Sequence, residues 1–236
     1  GGKEVLIKAV AQAIPTYSMS CFRLLRGLCK HIDGLLRSFW WGSKEGKRRT
    51  CWVAWEDMTK PKYMGGLGFR DIEQFNLALP AKQACRILQE PSSLSARVLK
   101  AVYFPDGDFL EAQIGTSPSR IWRAIVDGKD VLCQGLIRRI GTGEATDIWA
   151  MNWIPRDGLM RPISRLQGNN MRMVSDLIDN TTGCWDMQRL KQSFLPMDWE
   201  AIASIPLSTR RQVDFWAWHY TRRRVFSPSD QLTGCL

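Results

Sequence analysis

Apolar residues recur at intervals of three and four through the first part of the chain. Val5, Leu6, Ala9, Val10, Ala13 and Ile14 fall on one helical face before Pro15 interrupts. Proline suits a first helical turn, so Pro15 predicts the opening of a second helix reaching Leu24. Leu28, Ile32, Leu35, Leu36, Phe39 and Trp40 repeat the spacing, and Gly42 is a natural C-terminal stop. Three such helices predict a small bundle. From Thr50 to Trp55 the period changes: Trp52 and Ala54 alternate with Val53 and Trp55, which predicts a short strand. Gly65-Gly66-Leu67-Gly68 predicts a tight turn that delivers Asp71 as the N-cap of a helix running to about Gln89. Pro80 is expected to interrupt or divide that helix. Leu94, Val98, Ala101 and Val102 make one further stripe, and Ile121, Trp122, Ile125 and Val126 another. Both stripes are expected to be core.

After Gly135 the character changes. Leu136–Ile140, Gly141-Thr142-Gly143 and Thr146–Ala150 predict a β-hairpin around a glycine-containing loop. The polar, Gly/Pro-rich stretch from Pro155 to Asn170 predicts a boundary. Short helices are expected over Trp185–Leu195 and Asp198–Ser204. Val213, Phe215, Ala217 and His219 alternate with Trp216, Trp218 and Tyr220, a strand pattern with aromatics on one face, and Val225-Phe226-Ser227 is placed to pair back on it. The fold class is mainly α with small β-hairpins (α+β). Its segments are residues 1–60, 61–155 and 156–236.

At 236 residues the chain holds one large or two ordinary domains, and 44% hydrophobic content marks it as globular. The +10 net charge is uneven. Residues 1–70 carry 13 Lys and Arg against 5 Asp and Glu, the middle is close to neutral, and Arg210, Arg211, Arg222, Arg223 and Arg224 make the end basic. Two basic ends suggest two phosphate-facing patches. The first has a distinctive composition. Trp40, Trp41, Trp52 and Trp55 bracket Lys44, Lys47, Arg48 and Arg49, with Glu45 alone to offset them. Cations that track a backbone and rings that meet bases are what a single-stranded or hybrid nucleic acid requires. The competing reading is that the rings are core and the loop is only solvated.

Other chemistry is thinly represented. The seven cysteines (Cys21, Cys29, Cys51, Cys85, Cys133, Cys184, Cys235) include no pair separated by two residues, and the histidines are His31 and His219. A four-ligand zinc site needs short-spaced pairs, so no metal ligands are assigned and buried, reduced thiols are expected. Neither histidine is arranged with Ser and Asp as a catalytic triad. Gly65-Gly66-Leu67-Gly68 lacks the Gly-Lys-Ser/Thr ending of a phosphate-binding loop. No secretory signal or stretch of membrane-spanning length is visible, so an intracellular protein, nuclear or cytoplasmic, is expected without membrane contact. Gly1-Gly2 in place of Met reads as a missing native start.

Several ordered blocks carry a resemblance. They are Val5 through Ser20, Phe39-Trp40-Trp41-Gly42, Trp52-Val53-Ala54-Trp55 and Gly65-Gly66-Leu67-Gly68-Phe69-Arg70-Asp71, then Asn76-Leu77-Ala78-Leu79 with Ala81-Lys82-Gln83. Arg120 through Ile125, Ile140-Gly141-Thr142-Gly143 leading to Trp149 and Trp153, and Asp214-Phe215-Trp216-Ala217-Trp218 continue them. Together they resemble the reverse transcriptase polyprotein of plant non-LTR (LINE-class) retrotransposons, in the region after the polymerase palm. They are also similar to open reading frames of that origin stranded in plant mitochondrial genomes.

The resemblance implies a thumb-like helical bundle followed by a helical connection region, leading into a zinc-binding segment and often an RNase H domain. It implies contact with RNA or an RNA–DNA hybrid, and with the remainder of the polyprotein. The family's polymerase chemistry uses an Asp-Asp pair holding Mg²⁺, and no adjacent Asp-Asp occurs here. Asp106-Gly107-Asp108 sits in a Pro-Asp-Gly turn, where these residues serve backbone geometry. No catalytic residue or cofactor is therefore assigned. Lys44, Lys47, Arg48 and Arg49 are the candidate phosphate contacts, with Arg222, Arg223 and Arg224 as a second patch. Trp41 and Trp52 are candidate stacking rings, for which core packing competes. The residues after Pro228 depart from the pattern, as truncation or a frameshift would make them. Two alternatives remain open: an interaction module docking on the polymerase core, and a pseudogene product without function.

Overall fold

A computed structural model describes residues 1–44, 47–48, 50–163, 170–179, 181–208 and 212–220; of Ser43, Lys44, Lys47 and Arg48 it describes the backbone alone. The fold is mainly helical with small antiparallel sheets. It divides into two compact units, Gly1–Gln134 and Gly135–Phe226. The stretch 155–170, where composition suggested a boundary, falls inside the second.

In the first unit α1 (Gly2–Leu6) runs on through a π-helical turn (Ile7–Ala11), followed by α2 (Thr16–Cys21) and α3 (Arg26–Trp41). Gly42 ends α3 at φ 81°, as its position predicted. Their core gathers Ile7, Met19, Cys29, Leu36, Trp55, Met58, Phe69, Ile72, Phe75 and Leu79. Phe69 is its centre, stacked on Trp55 at 5.4 Å and met edge-on by Trp40 at 5.3 Å. The expected stripe on α3 is corrected. Cys29 and Leu36 are buried, whereas Leu28, Leu35 and Phe39 are exposed. The helix is apolar on two sides, and the core takes the side that also carries Ile32 and Trp40.

Two side-chain amides fasten the loops of this unit by pairing with a backbone, as a strand neighbour would. The buried Gln12 donates to the Arg70 carbonyl at 2.9 Å and accepts from the Arg70 N–H at 3.1 Å. The buried Asn76 does the same to Leu24, at 3.0 Å each way. Each serves a partly buried backbone N–H and C=O that lie outside any strand or helix.

The strand expected over Thr50–Trp55 does not form. Residues 50–54 are irregular, and Trp55 opens the short α4 (Trp55–Thr59) with Glu56 and Asp57 in its first turn, where acids favour a helix start. The ladder lies just upstream, β1 (Ser43–Lys44) against β2 (Lys47–Arg48). Helix α5 (Ile72–Gln89) is capped by Asp71, which accepts from the Gln74 N–H at 3.0 Å. Pro80 neither ends nor divides it. There α7 (Arg120–Cys133) comes so close that a Cβ on Gly128 would collide with the backbone of Pro80 and Ala81. That packing holds the helix together across the hydrogen bond the proline cannot make.

Between them runs α6 (Leu94–Tyr103), whose expected core stripe is also corrected: Leu94, Val98 and Val102 are 74%, 54% and 63% exposed. In the α7 stripe, Trp122, Ile125 and Val126 are buried as expected and Ile121 is exposed. The buried Lys129 of α7 donates to the carbonyls of Leu110 at 3.0 Å and Ala112 at 2.6 Å, drawing that loop onto the helix.

In the second unit β3 (Leu136–Arg139) does not turn back on residues 146–150. It pairs with β4 (Phe215–Trp218), in the register Leu136↔Trp218 through Arg139↔Phe215. The cause is Asp214. Its buried carboxylate accepts from the N–H groups of Gly141 (2.7 Å), Gly143 (2.9 Å) and Ala145 (3.1 Å) and from the Thr146 hydroxyl (2.7 Å). Closed around this carboxylate, the loop cannot form a hairpin tip. Gly141 is also required because a Cβ there would strike the Gln212 carbonyl. Beyond the sheet, α8 (Met187–Ser193) and α9 (Pro196–Ala203) match the expected short helices. They enclose a core of Ile140, Ile148, Trp153, Ile154, Val174, Leu177, Leu190, Phe194, Ile202 and Ile205. The buried Asp198 pairs with Arg156 at 2.6 Å and accepts from the Ile163 N–H at 2.9 Å, which fastens the glycine- and proline-containing loop to α9. Along β4 the alternation is imperfect: Ala217 and Trp218 are both buried, Phe215 is exposed, and the Arg138 guanidinium lies 4.8 Å from the Trp216 ring. The expected partner strand at Val225-Phe226-Ser227 lies outside the described residues.

Candidate nucleic-acid interface

The basic loop begins where α3 stops. Gly42 turns the chain out of the helix, and the β1–β2 ladder sets Lys44 opposite Lys47 and Ser43 opposite Arg48. Arg49, and the second patch Arg222, Arg223 and Arg224, lie outside the described residues.

The tryptophans separate sharply. Trp55 is 7% exposed and donates its Nε1–H to Asp33 Oδ1 at 3.1 Å. Trp40 and Trp41 are partly buried and pack against the first core. Trp52 is 82% exposed, and its neighbours from Thr50 to Ala54 are exposed too. Of the two candidate stacking rings, then, Trp52 is open to a ligand and Trp41 is committed mainly to packing. Trp52 follows the basic ladder closely in the chain.

One cation near this loop carries no local sequence signal. Lys3 Nζ donates to the Trp40 carbonyl at 3.0 Å and lies 5.8 Å from the Phe39 ring, so α1 brings a charge from the start of the chain to the end of α3. Three other lysines of the unit are paired with acids. Lys8 and Lys62 both meet Glu4 at 2.9 Å, and Lys60 meets Asp57 at 2.8 Å. The hydrogen bonds from Lys8 and then Lys62 hold the Glu4 carboxyl down at about 2. Asp33 moves the other way: burial pushes it up to about 6, against the pull of the Trp55 hydrogen bond.

Among the described residues no three His, Cys, Asp or Glu side chains gather as a metal site. Asp108 is occupied locally, with Oδ1 accepting from the Leu110 N–H at 3.5 Å. No described helix is long and apolar enough to cross a membrane.

No family model matches the chain, and no solved structure matches it. Over 153 residues it is 45% identical to the "Uncharacterized mitochondrial protein AtMg00310" of Arabidopsis thaliana, an alignment covering 64% of this chain and 99% of that protein. It is 35% identical over 158 residues to the "Putative ribonuclease H protein At1g65750" of the same plant, covering 65% of this chain and 25% of that longer protein.

Proposed function

The chain belongs to the family of the Arabidopsis mitochondrial protein, and from that premise we propose that it is a noncatalytic, nucleic-acid-handling segment of a plant non-LTR retrotransposon reverse transcriptase. It contacts RNA or an RNA–DNA hybrid through the loop between Trp41 and Trp52. Lys44, Lys47, Arg48 and Arg49 meet phosphates, Trp52 stacks on a base or sugar, and Arg222, Arg223 and Arg224 form a second contact. The observation that carries this reading is the 82% exposure of Trp52 close to a ladder that opposes two lysines. An exposed indole following clustered cations in the chain is the combination that a single-stranded nucleic acid uses, cations for the backbone and a ring for a base.

The partial similarity to a protein named for ribonuclease H supports the polyprotein origin, since the resembled polyproteins often carry that domain downstream. A relative named as mitochondrial supports a mitochondrial-genome origin for this copy. The test is Trp52→Ala, followed by binding of single-stranded RNA and by thermal melting. Removing a stacked ring costs about 1–3 kcal/mol of binding, while removing an exposed ring leaves stability within about 0.5 kcal/mol. Unchanged affinity would remove Trp52 from the site.

A second reading has its own support. Val5, Leu6 and Val10 on the first helical stretch, and Leu28, Leu35 and Phe39 on α3, are large apolar side chains left exposed. That favours a module whose helices dock on the polymerase core of the same polyprotein.

A further inference from the structure

Helix α6 is apolar on two sides. Inward, Ala96 is buried, Leu99 and Tyr103 are partly buried, and Tyr103 stacks on Trp122 at 4.6 Å. Outward, Leu94, Val98, Ala101 and Val102 are all exposed. Their spacing of four, three and one makes a continuous stripe about 12 Å long. The outward face of a surface helix is ordinarily polar, and a helix apolar all round is ordinarily covered.

The polar residues that α6 does carry say what covers it. Arg97 and Lys100 follow one edge of the stripe, both exposed, and neither meets a carboxylate among the described residues. With Leu94, Val98, Ala101 and Pro105 they line a shallow groove. No acidic residue occurs from Pro91 to Pro105. The groove therefore has an apolar floor and a positively charged rim.

We infer that α6 is a docking surface for an acidic amphipathic helix of a protein partner. Apolar anchors of that helix lie on Leu94, Val98, Ala101 and Val102, and its carboxylates face Arg97 and Lys100. A second copy of this chain packed antiparallel would bring two cationic edges to the same side, which disfavours it. An anionic bilayer is a poorer match, because the stripe offers no aromatic ring to seat at the interface. This surface is separate from the basic loop and stands without the nucleic-acid reading.

The test uses the full chain and two fluorescein-labelled helical peptides with the same leucine stripe, one flanked by glutamates and one by lysines. The glutamate peptide is expected to bind and the lysine peptide to bind at least about tenfold more weakly. Val98→Asp should weaken the glutamate peptide about tenfold or more without shifting the melt, because the side chain is 54% exposed. Arg97→Glu with Lys100→Glu should reverse the peptide preference. The inference is overturned if the glutamate peptide does not bind or both peptides bind alike. It is equally overturned if Val98→Asp changes nothing, if light scattering shows a dimer that Val98→Asp dissolves, or if the chain instead floats with phosphatidylglycerol vesicles.

Discussion

Replacing Asp214 with alanine deprives three backbone N–H groups and one hydroxyl of their acceptor at once. Gly141, Gly143 and Thr146 are buried, so water does not readily take the carboxylate's place. A hydrogen bond to a charged group is worth about 1.5–3 kcal/mol, and a buried donor left unpaired costs about 1–3 kcal/mol. Such terms do not add within one network, so the loss is set at about 3–5 kcal/mol rather than at their sum. Against a typical domain stability of about 5–15 kcal/mol, that removes much of what holds the second unit together.

Asparagine is the informative companion. Its oxygen can keep the Gly141 and Gly143 donors, while its NH₂ meets the Ala145 N–H donor head-on, so Asp214→Asn should cost about half as much. Urea unfolding followed by near-UV circular dichroism reads both, because Trp149, Trp153 and Trp185 lie in the second core or pack against it. The expected order is wild type, Asp214→Asn, Asp214→Ala. If alanine costs less than about 1 kcal/mol, the carboxylate is not what closes the loop.

Asp33 supplies a pH test. Its folded-state value of about 6 lies above the ordinary 3.8, so the folded chain holds the proton more tightly and stability falls as pH rises from about 4 to about 6. Asp33→Asn keeps an acceptor for Trp55 and should remove that slope, with a gain of about 1–2 kcal/mol at pH 7 after allowance for partial exposure; a melt series that keeps the slope would contradict it. Lys129→Met preserves the packed stem but strands two carbonyls, and a loss of about 2–3 kcal/mol is expected in denaturant unfolding. No loss would mean that the loop holding Leu110 and Ala112 is secured elsewhere. The purified chain is expected to extend no primed template with Mg²⁺, since no adjacent Asp-Asp pair is present; incorporation of labelled nucleotide would refute that.

Local signals are legible in the residues and non-local ones are not. Gly42 and Asp71 announce a helix stop and a helix cap through their own chemistry, and both do what that chemistry predicts. Pro80 misleads because Gly128, far along the chain, supplies the packing that tolerates it. The hairpin expected at Leu136–Ala150 gives way to a pairing with Phe215–Trp218, because Asp214 binds the intervening loop from some seventy residues away. Periodicity locates an apolar face but cannot choose between two. On α6 the buried side is Ala96, Leu99 and Tyr103, which a stripe of Leu and Val outweighs to the eye. In the candidate interface the clustering of cations with tryptophans is visible in the sequence. Which ring is free is not: Trp52 and Trp55 are three residues apart, and tertiary packing alone makes one 82% and the other 7% exposed. Lys3 escapes sequence reasoning for the same cause, since its place beside Trp40 comes from α1 lying along α3.

The most direct test of nucleic-acid contact is the salt dependence of single-stranded RNA binding before and after Lys47→Ala, Arg48→Ala and Arg49→Ala together. Each phosphate that is no longer neutralised lowers the slope of log affinity against log salt by about 0.7. The triple variant should therefore flatten the slope by roughly two, weaken binding alike across sequences, and leave the thermal melt unchanged. A variant that keeps the full slope would show that the loop is only a solvated connection, and the proposed function would fall with it.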